Sequence, residues 1–517
     1  MSKNVLNQKF RCSKFVFVFK KDNFVILYNS LNVKKIYGED NLLKIFLAFK
    51  KFILPQVVIE EKSKQLCLSP LCLSPQRISL LINKMINLKF LVQDIVQENE
   101  ELKKIRNRVP KKFQLRTLFF SITDKCNFQC KYCIVKGNWP NKFQPKDMTL
   151  SLAKETINYF FAKAPKDEKK QIVFFGGEPL LNLAVVKFSI PYIRKKEKEK
   201  MKSIKNYQPC RIFFMTNGSL VTDQIAKFFN KYKVFPIISL DGPRNIHDKM
   251  RISFCGGTFK SVLRGYKILK KNGCKVSVCV TVNKHNIKVL PQTIEYIASI
   301  LKPYSSSTNL PHRTLKEKNK KYFDKIDSLA ADKLIETFKV ARRYGLYIIK
   351  HIMDNRVRPF VEEKPKLKFC GGAGSRIVVE PDGRLSPCEA FAGMREKYKK
   401  NILEKPDIET LVDKSLIMHS VFNIKECYSC PAIAVCGGFC PYKAKIISGN
   451  VNKPDKATCE QSRKFLEFLC WDLFEILKKR GKLKTIERNL FVIPKKSDLE
   501  KIYGKINIKE GDKFAYF

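Results

Sequence analysis

Two sets of regularly spaced cysteines constrain this chain more than any other feature. The first is Cys126-x3-Cys130-x2-Cys133. The second runs Cys427-x2-Cys430-x5-Cys436-x3-Cys440, with Cys370 and Cys388 before it and Cys459 after it. The chain has 517 residues and 18 Cys. Four cysteines at the second spacing arise by chance with a probability under roughly 0.001. No secretory layout precedes them. The apolar stretch within Met1 to Phe19 is short and broken by Lys and Arg, and no small-residue cleavage site follows. No apolar run nears the roughly 18 residues needed to cross a bilayer. The expected setting is the cytoplasm, with no membrane partner. Thiols stay reduced there, and dense cysteines read as metal ligands rather than disulfides.

Three thiolates on one short loop can hold three irons of a cuboidal 4Fe–4S cluster and leave the fourth open for chemistry. A zinc site would want a fourth ligand nearby, and no His lies within this stretch. From about 361 to 475 the cysteines alternate with Gly and Pro, and periodicity is weak. Metal ligation is therefore expected to supply that region's folding free energy. One zinc would leave three of its seven spaced cysteines unused.

The rest of the chain divides by pattern. Residues 1–108 read as a small α+β domain. Its strands are 15–19 and 24–28 about the turn Lys21-Asp22-Asn23. Helices follow over 41–52 and 75–88, then a strand over 88–93 and a helical linker over 97–112. The tandem Leu66-Cys67-Leu68-Ser69-Pro70 and Leu71-Cys72-Leu73-Ser74-Pro75 reads as a loop without a metal role. Over 109–360 short apolar strands (118–122, 172–175, 212–215, 235–239, 276–282 and 346–349) alternate with helices such as 150–162 and 259–271. That alternation predicts an α/β fold, a partial (β/α)6 TIM-like barrel. Polar residues 303–321, with Ser305-Ser306-Ser307, read as a long surface loop. Residues 361–480 form the cysteine-rich domain, ending in an amphipathic helix over 465–479. Residues 481–517 are a basic C-terminal extension with no further signal.

The first cysteine loop and the motifs after it resemble the radical S-adenosylmethionine (SAM) superfamily over roughly 115–300. In that family the loop follows the first strand, and its open iron chelates the amino and carboxylate groups of SAM. The resemblance puts Tyr132 near the adenine and assigns Gly176-Gly177-Glu178-Pro179 to the SAM amino group, with glycines permitting close backbone approach. Thr216 and Asn217 end the third strand. Ser239 and Asp241 end the next, and Arg251 follows. Ser239 and Arg251 match positions that hold the SAM carboxylate, a planar anion that suits an Arg fork. All these motifs fall at the C-terminal ends of predicted strands, where βα loops converge.

The cysteine-rich region resembles the SPASM domain of radical SAM enzymes that mature peptides and proteins. The resemblance implies a distal auxiliary 4Fe–4S cluster on Cys427, Cys430, Cys436 and Cys459, and a proximal one on Cys370, Cys388 and Cys440. With the SAM-binding cluster that makes three. Some relatives add a proximal Cys several residues before the first. Residues 364–369 contain none, which leaves an iron open to a substrate thiol or another residue. Glu389 stands where sulfatase-maturing relatives carry an Asp base, and a general-base role is set against that of an ordinary surface Glu.

Residues 1–108 loosely resemble the winged-helix domain that captures a precursor's leader peptide as an added strand; the alternative is a generic α+β cap. The formal charge is +52, from 100 Lys plus Arg against 48 Asp plus Glu, but it is spread along the chain. It favours an acidic partner. Nucleic acid is not expected, because no helix stands out as Arg-rich. The expected function is a radical SAM/SPASM peptide maturase. It would generate a 5′-deoxyadenosyl radical to oxidise a ribosomally made peptide, thioether cross-links being one product, with an external low-potential electron donor. Three alternatives stand beside it: an anaerobic sulfatase-maturating (formylglycine-generating) enzyme, an RNA-modifying radical SAM enzyme, and a non-enzymatic metal-stapled binding protein. Elsewhere, Cys279 reads as a buried small hydrophobe, Cys255 lies near the predicted active face, and His351 ends a strand as a structural side chain.

Overall fold

The computed structural model describes residues 3–66, 74–140, 142–310, 320–350, 352–483 and 490–503. Its centre is a nine-stranded sheet. In spatial order the strands are Ile348–Lys350, Ser305–Asn309, Ser277–Thr281, Val234–Ser239, Arg211–Thr216, Gln171–Phe175, Thr117–Ser121, Arg376–Val379 and Leu385–Ser386. Neighbours pair in parallel as far as Arg376–Val379, and the final pair is antiparallel. The two outer strands are not joined, so the barrel is partial, as its alternating pattern predicts. Parallel strands covered on both faces need apolar runs rather than alternation. Leu118, Phe120, Ile172, Val173, Phe174, Ile212 and Phe214 supply them and are fully buried. Helices between the strands turn one apolar stripe inward. In Leu150–Lys163 that stripe includes Ala153, Ile157 and Phe160, and Thr149 caps the first turn by accepting from the Leu152 N–H.

The sheet holds three strands more than the predicted six. One is Ser305–Asn309, where a surface loop was expected. Ser305, Ser306 and Thr308 are buried, and the partners that the Ser305 and Ser306 hydroxyls find let a polar run fit there. Ser306 Oγ donates to the Val278 carbonyl at 3.0 Å, and the Ser277 and Ser305 hydroxyls share a hydrogen bond of 2.7 Å. Parallel pairing on both sides satisfies the backbone, so position in the sheet outweighs propensity. The other two are Arg376–Val379 and Leu385–Ser386, from the cysteine-rich region; the first extends the sheet beside Thr117–Ser121 and the second pairs with it at the edge.

The N-terminal part has its own antiparallel sheet: Val16–Lys21, Phe24–Asn29 and Lys35–Glu39, the last strand missing from the sequence reading. Helices Asp40–Ala48, Pro55–Leu66 and Pro75–Asn87 share its core through Leu42, Ile45, Val58, Ile78, Leu81 and Ile82. A fourth strand, Phe491–Val492, arrives from the far end of the chain and pairs with Gly38 and Tyr37. Within 481–517 the described residues 490–503 are thus more than a basic extension. In the helix Lys496–Tyr503, Leu499, Ile502 and Tyr503 are buried. Most of the five-residue duplication, including Cys67 and Cys72, and His351 lie outside the described residues. Among the described residues no helix is long and apolar enough to cross a membrane.

Candidate active site

The loop bearing Cys126, Cys130 and Cys133 leaves the C-terminal end of Thr117–Ser121 and closes in the short helix Ile134–Gly137. Neighbouring strand ends pin it from several sides. The Gly177 and Glu178 N–H groups donate to the carbonyls of Thr123 and Lys125, each at 2.8 Å. A Cβ on Gly176, where φ is +129°, would lie 2.3 Å from the Thr123 oxygen, and one on Gly177 would lie 2.1 Å from the Lys125 oxygen. The two glycines therefore serve a close backbone approach, but to the cysteine loop itself. Asn127, inside that loop, donates to Ser219 Oγ at 2.9 Å and accepts from Asn217 Nδ2 at 2.8 Å. Asn127 and Ser219 were missed by sequence reasoning, because no spacing rule marks a single polar side chain within a loop.

Glu178 is fully buried. Its carboxylate accepts from Thr216 Oγ1 at 2.7 Å, from the Asn217 N–H at 2.7 Å and from the Leu180 N–H at 3.1 Å. Burial pushes its pKa up to about 7 against the pull of those donors. Arg251 lies under the same loop, buried with Asp241. Its Nε is 3.2 Å from Asp241 Oδ2, its Nη1 donates to Cys130 Sγ at 3.8 Å, and its guanidinium sits over the Tyr132 ring at 5.3 Å. Tyr132 donates its hydroxyl to Asp241, and Asp241 Oδ1 also accepts from the Thr281 N–H at 3.0 Å. Ser239 ends its strand opposite Cys279. The strand ends thus bring Tyr132, Glu178, Thr216, Asn217, Ser239, Asp241 and Arg251 around one cysteine loop.

Burial raises the Cys126 pKa to about 12, with Glu178, Cys130 and Cys133 adding to the rise and the Phe128 N–H opposing it. Burial also raises that of Cys130, opposed by Arg251 and reinforced by Cys133. Mutually repelling, desolvated thiols in one loop want a cation to neutralise them. Among the described residues no three His, Cys, Asp or Glu side chains lie close enough to hold one metal ion. Ligands on a single zinc crowd within about 4 Å of each other, since Zn–S bonds are only about 2.3 Å. Thiolates on a cuboidal cluster stand around a larger body. Three thiols on one loop, with Cys126 and Cys130 desolvated, fit the ligand type of an iron–sulfur cluster.

The other cysteines fall into neighbourhoods. Burial raises the pKa of Cys427 above the thiol range, and Cys436, Cys459 and Cys430 add to it. Cys388 is raised by burial, by Glu389 and by Cys440. Cys370 comes near Cys388 through Gly372, whose Cβ would lie 3.4 Å from Cys388 Cβ and 3.7 Å from Cys370 Sγ. Glu389 does not stand alone beside Cys388: Arg376 Nη1 donates to its Oε2 at 3.0 Å. It lines a cavity with Ser121, Asp124, Asn138, Glu380 and Arg395, between the first strands of the sheet and the cysteine-rich region. Cys279 is buried, as expected, and Cys255 is exposed on a hairpin.

Residues 120–302 match the family model of the radical SAM superfamily. The chain is 24% identical over 504 residues to the radical SAM cyclopropyl synthase TigE of Paramaledivibacter caminithermalis, covering 93% of this chain and 96% of that protein. It is 24% identical over 340 residues to a cysteine-type anaerobic sulfatase-maturating enzyme of Clostridium perfringens, covering 61% of this chain and 85% of that one. The solved structure of native anSMEcpe with bound AdoMet shares the fold, with a TM-score of 0.58 and 21% identity over 70% of this chain and 99% of that one.

Proposed function

From a chain that carries a radical SAM domain over residues 120–302, we propose a SPASM-type maturase that oxidatively modifies a peptide. One observation carries this reading: the match to a cyclopropyl synthase covers 93% of the chain, whereas the sulfatase-maturating match covers 61%. It favours chemistry at substrate carbon and ranks ring closure beside thioether formation. The grouping of Cys427, Cys430, Cys436 and Cys459, and of Cys388 with Cys440 and Cys370, supports two auxiliary clusters besides the one on Cys126, Cys130 and Cys133.

When bound, SAM and the first cluster supply a 5′-deoxyadenosyl radical that removes hydrogen from a substrate carbon. The protein's own task is orientation. Glu178, held by Thr216 and Asn217, offers a buried acceptor near the cysteine loop for an ammonium group. Arg251 offers a carboxylate partner, and Asp241 fixes its guanidinium in place. Tyr132, tied to Asp241, presents a ring face to the adenine. Glu389 takes the substrate proton that accompanies oxidation, with Arg376 setting its direction. The N-terminal sheet holds the leader segment of the peptide.

The test is anaerobic co-expression with the peptide encoded beside it, read by mass spectrometry. Loss of two hydrogens with 5′-deoxyadenosine release supports this reading, and thiol alkylation then separates thioether from carbon-only products. Loss of the substrate sulfur, or a new aldehyde that reacts with a hydrazine, instead makes the enzyme a formylglycine generator. A Cys126→Ala/Cys130→Ala/Cys133→Ala variant should lose about four of about twelve irons and all SAM cleavage. An unchanged iron content would overturn the assignment.

A further inference from the structure

We propose that the hairpin formed by Ile252–Ser253 and Gly256–Gly257, with the lysines beside it, is the docking surface for a small acidic electron-carrier protein. The inference rests on the reading that the Cys126, Cys130 and Cys133 loop holds a reducible cluster.

The hairpin is bonded directly to that loop. The Gln129 N–H donates to the Ile252 carbonyl at 2.7 Å, and the Lys131 N–H donates to the Met250 carbonyl at 3.0 Å. Arg251, just before the hairpin, reaches Cys130 Sγ at 3.8 Å. The surface is therefore separated from the thiols by one backbone layer. At its tip Phe254 is 85% exposed, the most exposed large apolar side chain among the described residues. A lone aromatic held out on a backbone-pinned turn is the kind of group that anchors a protein interface.

Charge around it has one sign. Lys131, Lys249 and Lys284 are all exposed, and they come from three different loops. Together they flank His285, whose pKa is lowered by burial and then by Lys284, Lys249 and Lys131. Across residues 125–137, 244–260 and 282–289 the only acidic side chain is Asp248. Its carboxylate is engaged: it accepts from the Thr258 and Phe259 N–H groups at 2.8 Å each and pairs with Arg244 at 3.5 Å. A cationic ring around an apolar tip complements an acidic protein, steers its approach and suits a small transient interface. In the encounter the carrier is oxidised by one electron and the cluster reduced by one; no bond forms.

Reduced flavodoxin is the probe. Its dissociation constant is measured by calorimetry at low and high salt against wild type, Lys249→Glu/Lys284→Glu and Phe254→Ser holoenzyme. SAM cleavage is followed in parallel with flavodoxin and with dithionite. The proposal expects binding weakened about tenfold, with a flatter salt dependence in the charge variant. It expects a matching fall in flavodoxin-driven cleavage and an unchanged dithionite rate. Equal flavodoxin binding by all three proteins overturns it. So does a fall in dithionite-driven peptide turnover, which would assign the patch to the substrate. Wild type that cleaves no SAM with dithionite instead overturns the reading beneath the proposal, and the binding constants still decide the docking surface.

Discussion

At Gly177 even a methyl group has no room, because its carbon would lie 2.1 Å from the Lys125 carbonyl oxygen. Relief would have to come from shifting the backbone that carries the first cysteine. Gly177→Ala is therefore expected to cost about 2 kcal/mol or more and to lower iron loading together with stability. Iron assay and thermal unfolding of the same preparation check this; a stable, fully loaded variant would refute it. His247 shows a different constraint. It is fully buried, Nδ1 accepts from the Asp241 N–H at 3.3 Å, and burial with Arg251 nearby lowers its pKa to about 3. Below about pH 6.5 the unfolded chain takes up a proton that the folded chain refuses until about pH 3. Stability is thus lost as pH falls through that window, by about 2 kcal/mol at pH 5 relative to pH 7. Urea midpoints at the two pH values should fall further for wild type than for His247→Gln.

At the scale of elements, the C-terminal helix Lys496–Tyr503 carries more than its sequence suggests. Leu499 is fully buried, and the helix packs against Arg358–Glu362 and Lys456–Lys479. Leu499→Ala is expected to destabilise the protein by about 2–5 kcal/mol through the cavity it leaves. The denaturant midpoint measures this, and a change below about 1 kcal/mol would mean that the helix is not part of the core. The strand Ser305–Asn309 makes the complementary point. The Ser306 and Ser305 hydroxyls reach a carbonyl and a hydroxyl, so Ser306→Ala is expected to cost about 1 kcal/mol, more than a surface Ser would.

Across the whole molecule, the N-terminal sheet is tied to the cysteine-rich region by a buried charge. Lys35 is fully enclosed, 3.3 Å from Glu363, and its ring contact with Phe360 is 4.2 Å. Tyr37 also donates to the Cys470 carbonyl at 3.0 Å. Burial lowers the Lys35 pKa to about 8, with Glu363 opposing the fall. Removing that partner strands a buried ammonium, so Glu363→Gln is expected to cost about 3 kcal/mol at pH 7. The deficit should shrink as pH rises past 8, where the folded protein sheds the Lys35 proton before the unfolded chain does. Unfolding at pH 7 and pH 9.5 tests both parts. If the sheet presents a leader peptide to the barrel, the same variant should raise the KM for a leader-bearing peptide more than for a leaderless one.

Much of the site was legible from the chain alone, because its chemistry is local. Cys126, Cys130 and Cys133 sit within one short loop; the family resemblance picked out the motifs at Gly176, Thr216 and Ser239, and the strand pattern put each at a strand's end. Strands such as Gln171–Phe175 were readable because burial on both faces demands uninterrupted apolar residues. Other features depend on distant segments meeting. Ser305–Asn309 is a strand only because parallel neighbours on both sides satisfy its backbone. Phe491–Val492 finds its partner more than 450 residues away in sequence. The Arg251–Asp241–Tyr132 contact, the Asn127 bridge and the pairing of Arg376 with Glu389 join side chains from different elements, and no local pattern encodes such a distance. Local spacing set the cysteines of the candidate site and the face they share; long-range packing chose which neighbours orient them, because hydrogen bonds and ion pairs form only where the folded backbone brings their atoms within reach.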